Sequence, residues 1–440
     1  MSQPESGGAA APPGLLRRNG VYLAAFLMDC VQAFSAVGAS YLAKALFKAD
    51  PADLGLLALV FAASYVGACL VFGRLSDRWG RRRLIVFGAS LDVVALLLLA
   101  GADSFWQVCM LLGLFSVGQG AFWPVLEADI SDHSSPLELP RRLGRFNVSW
   151  CLGFVVGWPA AGLVGEALGR WLSGGTGPAA AGAGQVVASY ATGQRVVLLL
   201  AAALVLVALG AYLMRRFAPE PVAERRPDPS ADERAAARAV PFWRIALLLN
   251  FAAMGLSGTL RSQLPEVTGG DRSALGGAFG AVFFGAQVAV FILLALWRGW
   301  HFRAAPLVAG SVLAVGGGAL CGLFGAPWLF GLGCLAGGLG CGVAYYSSIY
   351  YSVAAAAARG HRGGIHEAVL GSGNAVVPFA GGLLGNSLWA GMHFPGWRPG
   401  VPFLLSAVVL VAAFLVGALM YARLRAMPRA VPSGPGRQEA

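Results

Sequence analysis

Residues 73–83 read GRLSDRWGRRR, which is the strongest motif in the sequence. It joins two apolar runs, 53–73 and 83–101. Apolar runs of about 20 residues are long enough to cross the ~30 Å hydrocarbon core of a bilayer as helices. The stretch is therefore a short cationic turn between two predicted transmembrane helices. It contains one carboxylate, Asp77, and two glycines, Gly73 and Gly80.

The composition of the whole chain points to lipid as its main solvent. The chain has 440 residues, of which 57% are hydrophobic and 12% are charged. Soluble domains carry about 25% charged residues. So few charges cannot cover the surface of a soluble protein of this length. The same values exclude a disordered chain and argue against a soluble enzyme.

Twelve apolar runs of transmembrane length follow one another, and a polar, proline-containing stretch separates the first six from the last six. The predicted fold is therefore all-α and integral to the membrane, with 12 transmembrane helices in two six-helix bundles. The predicted domains are a tail 1–20, a bundle 21–217, a linker 218–241, a bundle 242–424 and a tail 425–440. The predicted helices 1 to 12 are 21–43, 53–73, 83–101, 104–128, 144–169, 195–217, 242–263, 272–297, 304–324, 327–357, 364–390 and 401–424.

The two halves resemble each other at a constant offset of 220 residues. Helix 5 of the first half matches helix 11 of the second. Gly144, Gly153, Ala160, Gly162, Leu163 and Gly165 correspond to Gly364, Gly373, Ala380, Gly382, Leu383 and Gly385. Pseudo-symmetric six-helix halves with a binding site between them are a transporter architecture.

The cationic residues indicate how the helices are oriented. If both termini lie on one side of the membrane, 25 of the 32 Lys and Arg residues lie on that side and 7 on the other. Short loops rich in Lys and Arg stay in the cytoplasm. We therefore expect a multi-pass protein of the inner (cytoplasmic) membrane with both termini cytoplasmic. Topology also accounts for the net charge of +11, so no nucleic-acid partner is expected.

The stretch 73–83 resembles the signature loop of the major facilitator superfamily of secondary transporters, G-x-L-a-D-r-x-G-r-r. The twelve helices, the central linker and the repeat extend this resemblance over nearly the whole chain, although no subfamily is assigned. The resemblance implies two bundles that rock about a central cavity. Helices 1, 4, 7 and 10 would line the cavity, helices 2, 5, 8 and 11 would flank it, and helices 3, 6, 9 and 12 would brace the outside.

The resemblance also implies that the signature loop latches the two halves together at the cytoplasmic face. We expect Asp77 to face the start of helix 11 near Gly364, because a carboxylate is stabilised beside the positive end of a helix. Cations of the loop should pair with a carboxylate at the inner end of helix 4, either Glu127 or Asp129. The expected latch residues are Gly73, Asp77, Arg78, Gly80, Arg81 and Arg82.

Polar side chains at membrane depth are the candidates for the transport site, because they are costly there and usually functional. Asp29 is the expected proton carrier, with Glu127 and Glu367 as second candidates; a structural role for Asp29 is the alternative. Asp92 lies on a bracing helix, which favours a structural role. The expected cavity residues are Gln32, Gln119, Trp123, Asn147, Trp150, Asn250, Arg261, Gln287, Tyr345, Tyr346 and Asn374, with Arg261 near the outer mouth.

The sequence predicts a secondary transporter that moves a small organic solute by alternating access, coupled to protons. Two features favour efflux of a hydrophobic or amphipathic compound: the aromatic candidates, and a glycine/proline pattern in helix 5. That pattern, Gly153-x3-Gly157-x-Pro159-x2-Gly162, resembles a motif of proton-coupled antiporters, except that Trp158 separates Gly157 from Pro159. The alternatives are an organic-anion or nutrient importer using Arg261, a uniporter, and a membrane sensor or scaffold that transports nothing.

Motifs for ATP binding and for enzymatic catalysis are absent from the sequence. The protein is therefore not expected to be an enzyme, and no cofactor or metal is expected. Its expected partners are the solute, protons and membrane lipid, and we expect it to act as a monomer.

Overall fold

The computed structural model describes residues 15–134, 139–173, 183–215, 229–354, 359–391 and 400–426. Within these ranges the chain forms twelve α-helices and one 3₁₀ turn at Arg298–Trp300, with no strand. The helices are α1 Leu15–Phe47, α2 Pro51–Trp79, α3 Arg81–Ala100, α4 Phe105–Asp132, α5 Leu139–Leu172, α6 Ala183–Leu213, α7 Pro229–Thr268, α8 Ser273–Leu296, α9 Ala304–Leu323, α10 Pro327–Ala354, α11 Arg359–Gly391 and α12 Val401–Ala426.

All twelve helices are long and apolar enough to span a membrane, which confirms the predicted fold class. Several bounds differ from the prediction. Helix α6 begins at Ala183 rather than at 195, and α7 begins at Pro229, inside the predicted linker. The α7 extension is rich in alanine, which favours a helix even where the sequence is too polar for the membrane. Most of the α6 extension belongs to its membrane span, Val187–Leu213. Residues 1–14, 216–228 and 427–440, from the tails and linker, lie outside the described residues.

Two pairs of helices make most of the contact between the halves, α5 with α8 and α2 with α11. Each pair comes close enough for backbone contact at a glycine. A Cβ at Gly162 of α5 would overlap the carbonyl oxygen of Ser273 in α8, and a Cβ at Gly382 of α11 would overlap that of Pro51 in α2. These two glycines are 220 residues apart. The repeat found in the sequence therefore relates the two main contacts between the halves.

Among the described residues, most polar contacts between the halves lie on one side of the molecule. We call the side where α1 begins and α12 ends the terminal side, and the other the opposite side. On the opposite side, contacts join the ends of α1, α2, α7 and α11. They pair Lys44 with Glu266, Tyr41 with Thr268 (2.8 Å), Asn386 with Asp50 (2.6 Å), and Gln263 with the carbonyl oxygen of Pro51 (3.0 Å). This arrangement closes the molecule on the opposite side.

Candidate functional site

A cavity of about 120 Å³ lies between the halves at mid-depth. The predicted lining helices α1, α4, α7 and α10 contribute to its wall, and so do α2, α5, α8 and α11. All three carboxylates expected to carry protons line it: Asp29, Glu127 and Glu367. Of the eleven expected cavity residues, seven line it: Gln32, Trp123, Trp150, Arg261, Gln287, Tyr345 and Asn374.

The carboxylates come from both halves of the protein. Asp29 of α1 is 3% exposed, and the structure gives it no hydrogen bond within the described residues. Glu367 of α11 accepts a hydrogen bond from the Tyr65 hydroxyl at 3.1 Å. Glu127 of α4 lies close enough to Glu367 for the two carboxylates to repel each other. A proton or an organic cation between them would relieve that repulsion.

One guanidinium group, that of Arg261, opposes these carboxylates in the cavity wall. It donates to the side-chain oxygen of Asn374 and attracts Asp29 electrostatically. Its Nε has no hydrogen-bond partner in the described part of the chain. Arg261 also lines a second compartment of about 80 Å³, which reaches Ser40 and Leu54. Its place near the outer mouth stays a prediction. Gly258 allows α11 to approach α7 here, since a Cβ would lie 2.9 Å from the Asn374 backbone.

Aromatic side chains form much of the remaining wall. Trp150 of α5 packs edge-on against Tyr345 of α10 at 5.3 Å between ring centroids. Phe154 of α5 stacks on Phe284 of α8 at 4.4 Å. Sequence reasoning missed eight lining residues, all of them on helices assigned to the flank: Phe61, Ala62, Tyr65, Phe146, Phe154, Phe284, Leu370 and Gly371. Tyr65 is the most important of these, since it hydrogen-bonds Glu367.

Four expected cavity residues face away from the main cavity: Gln119, Asn147, Asn250 and Tyr346. Asn147 accepts a hydrogen bond from the Trp150 indole at 3.0 Å. Tyr346 packs against Trp300, and Asn250 is fully buried. These four residues lie on the predicted helices but outside the set of residues that lines the cavity.

Within the described residues, the loop 73–83 makes no polar contact with the second half. The Asp77 side chain is 66% exposed and pairs with Arg81 at 2.7 Å. Arg81 also pairs with Asp132 at 3.0 Å, rather than with Glu127 or Asp129 as expected. Asp132 is the last residue of α4, so it lies level with the loop. Glu127 instead faces the cavity. Asp129 pairs with Arg215, which follows α6, at 2.6 Å. A latch from Asp77 to α11 stays a prediction for another state.

The glycines of the helix 5 pattern serve two different contacts. A Cβ at Gly157 would lie 2.9 Å from the Cα of Cys30 in α1, and Gly153 also faces α1, at Phe26 and Asp29. Gly162 instead faces α8. Close packing therefore explains all three glycines, and their link to antiport stays a prediction.

We expect Asp77→Asn to weaken the state that is closed on the terminal side. The charge–dipole energy lost is about 0.3–1 kcal/mol, which is roughly a twofold to fivefold change in population. Spin labels on the terminal-side ends of α4 and α10 should therefore show longer mean distances by double electron–electron resonance. Asp132→Asn, which removes the other partner of Arg81, is the matched control. An unchanged distance distribution in Asp77→Asn would remove the latch role of this residue.

Comparison with known proteins decides the family. The family model described as Major Facilitator Superfamily matches residues 21–364. The chain belongs to the major facilitator superfamily.

Solved transporters of this superfamily share the fold. A bacterial homolog of the human lysosomal transporter spinster, solved in an inward-facing and unoccupied conformation, gives a TM-score of 0.67 at 17% identity and covers 95% of this chain and 100% of that chain. The nucleoside transporter NupG gives 0.62 at 12% identity, over 93% and 99% of the two chains. These identities show the fold alone.

Relatives by sequence match this facilitator over shorter segments. Protein spinster homolog 1 of Xenopus tropicalis is 26% identical over 147 residues, which are 33% of this chain and 28% of that protein. The class G tetracycline resistance protein of Vibrio anguillarum is 36% identical over 90 residues, which are 20% of this chain and 23% of that protein. The matched segments thus span less than a third of either relative.

Proposed function

We propose that this facilitator is a proton-coupled exporter of amphipathic organic compounds, and that its best substrates are aromatic cations. One observation carries the proposal: three carboxylates from both halves face one guanidinium across an aromatic cavity. With all four groups ionised, the cavity has an excess of negative charge. Aromatic walls bind flat apolar rings, and their faces attract cations at about 0.5–2 kcal/mol each.

Competition for the carboxylates would couple the solute to protons. A cationic solute binds best when Glu127 and Glu367 are free of protons, since it then relieves their mutual repulsion. Protons arriving from the other side of the membrane would neutralise the cavity carboxylates, above all Asp29, and release the solute. One binding site used alternately in this way gives exchange of protons for solute.

Topology and one sequence similarity support export as the direction of this exchange. We place both termini in the cytoplasm of the cell, because the predicted topology puts 25 of the 32 cationic residues on the same side as the termini. The closed opposite side then faces outward, and the structure represents the state that accepts solute from the cytoplasm. The similarity to a tetracycline resistance protein supports export over uptake.

A second candidate function is import of an organic anion. Arg261 favours it, because the guanidinium is buried in the cavity wall and its Nε lacks a partner among the described residues. Asp29 partly neutralises this cation, which makes the anion site weaker than the acidic one.

Transport by the purified full-length protein in liposomes with an imposed pH gradient tests the proposal. The probes are ethidium and tetraphenylphosphonium as aromatic cations and benzoate as an aromatic anion. We expect gradient-driven accumulation of both cations, accompanied by proton movement in the opposite direction, and none in protein-free liposomes.

Cation movement that is indifferent to the gradient would reject proton coupling. Accumulation of benzoate alone, lost in Arg261→Gln, would replace the proposal with the second candidate. Movement of no probe would reject it in favour of a sensor or scaffold.

A further inference from the structure

A buried carboxylate outside the cavity is connected to it by a chain of hydrogen bonds. Asp92 lies in the middle of α3 and is fully buried against α4, where Gly118 leaves room for its carboxylate. Its Oδ2 accepts a hydrogen bond from the amide nitrogen of Gln119 at 2.6 Å. The amide oxygen of Gln119 in turn accepts from Gln32 at 3.0 Å and from the Trp123 indole at 2.8 Å. Gln32 and Trp123 line the cavity, whereas Asp92 and Gln119 do not.

Hydrogen-bond chemistry permits only one orientation of the two amides in this chain. The indole nitrogen of Trp123 can only donate, so the atom of Gln119 that faces it must be the amide oxygen. The amide nitrogen of Gln119 then points to Asp92, which must offer an acceptor. Because the Gln119 oxygen also faces Gln32, Gln32 must present its own nitrogen there. The side-chain amide oxygen of Gln32 is then free to face the cavity as a hydrogen-bond acceptor.

We propose that Asp92 is a positioning residue that sets the specificity of the cavity. Asp92 holds the side-chain amide of Gln119, and Gln119 in turn holds Gln32 and Trp123. The cavity wall then offers the side-chain amide oxygen of Gln32 to a solute that carries an N–H or O–H donor. The proposal rests on the proposed function, since it concerns the solute of the same cavity. A function of the negative charge is not required, because any acceptor at this position holds Gln119.

Loss of the acceptor would free the Gln119 side chain. Gln119 is fully buried, so its unpaired amide nitrogen would lack a partner, which costs about 1–3 kcal/mol. The amide can then rotate, and rotation removes the acceptor for both Trp123 and Gln32. The solute would meet a wall in which Gln32 no longer has a fixed orientation. The binding of solutes that have no hydrogen-bond donor would not depend on this orientation of Gln32.

Two probes and two variants of Asp92 test the proposal in proteoliposomes. Ethidium carries primary amines that can donate to Gln32, whereas tetraphenylphosphonium has no hydrogen-bond donor. We expect Asp92→Leu to raise KM for ethidium about tenfold with little change in the maximal rate. KM for tetraphenylphosphonium should stay within about twofold of the wild-type value. Asp92→Asn, which keeps an acceptor oxygen, should restore the ethidium KM. In a Gln119→Leu background, Asp92→Leu should add no further change.

Other outcomes overturn the proposal. An Asp92→Asn variant as defective as Asp92→Leu would show that the charge matters rather than the hydrogen bond. Equal changes in KM for both probes, or none for either, would remove the specificity role. A further loss in the Gln119→Leu background would show that Asp92 acts by another route.

A readout without a solute separates this inference from the proposed function. The emission of Trp123, taken as the difference from the same protein carrying Trp123→Phe, should shift in Asp92→Leu and not in Asp92→Asn. If neither cation is transported, the proposed function fails and this emission decides the positioning role. An identical Trp123 emission in the wild type and Asp92→Leu would overturn it.

Discussion

Replacing Asp29 with asparagine should abolish gradient-driven accumulation of ethidium and leave downhill exchange of ethidium intact. Asp29 is the carboxylate of the cavity wall that attracts Arg261, and it lies on α1 at mid-depth. A proton carrier must be dry in one state and hydrated in the other, and a buried carboxylate facing a cavity meets this requirement. Asparagine has nearly the same shape but binds no proton. Because Asp29 makes no hydrogen bond within the described residues, the substitution should leave the fold intact.

Three variants control this experiment. Asp29→Glu keeps a carboxylate and should retain part of the accumulation. Glu127→Gln and Glu367→Gln alter the other carboxylates and should weaken ethidium binding more than coupling. Accumulation that survives Asp29→Asn unchanged would rule out Asp29 as the coupling site. Accumulation lost in Glu127→Gln but kept in Asp29→Asn would move coupling to the pair formed with Glu367.

The fold was predictable because each membrane-spanning helix requires a long apolar run in the sequence. A helix in lipid must be apolar along about 20 residues, so each span is visible without knowledge of its neighbours. The same reasoning could not find where helices extend into water. The first turns of α7, from Pro229, are polar and carry no hydropathy signal, although their alanines favour a helix.

The site was predictable in its chemistry and less so in its geometry. Asp29, Glu127 and Glu367 all line the cavity. A carboxylate at membrane depth is costly in contact with lipid, so it faces the interior of the bundle. Which neutral residues reach it depends on the rotation of each helix, which only tertiary packing sets. Gln119 thus lies behind Trp123, and Tyr65 lines the cavity from a helix assigned to the flank.

Gly162→Ala should shift the protein toward the state that is open on the opposite side. The added Cβ would overlap the backbone carbonyl of Ser273, so α5 and α8 could not close there without moving apart. Overpacking of this kind costs about 1–3 kcal/mol, which corresponds to a change in population of roughly 5- to 150-fold. The contact joins the two halves, so a state in which they separate on this side escapes the cost. Gly382→Ala should act in the same direction, because Gly382 makes the symmetry-related contact with Pro51.

Distances between spin labels at the opposite-side ends of α1 and α7 measure this shift, and they should lengthen in both variants. The matched control is Gly285→Ala on α8, where a Cβ meets nothing within 4 Å. This control should keep the wild-type distances and transport rate. Since transport requires both states, Gly162→Ala should also slow ethidium exchange by its bias toward one of them. Unchanged distances in Gly162→Ala and Gly382→Ala would show that these glycine contacts do not determine closure, and the ion pair of Lys44 with Glu266 would then be the next contact to test.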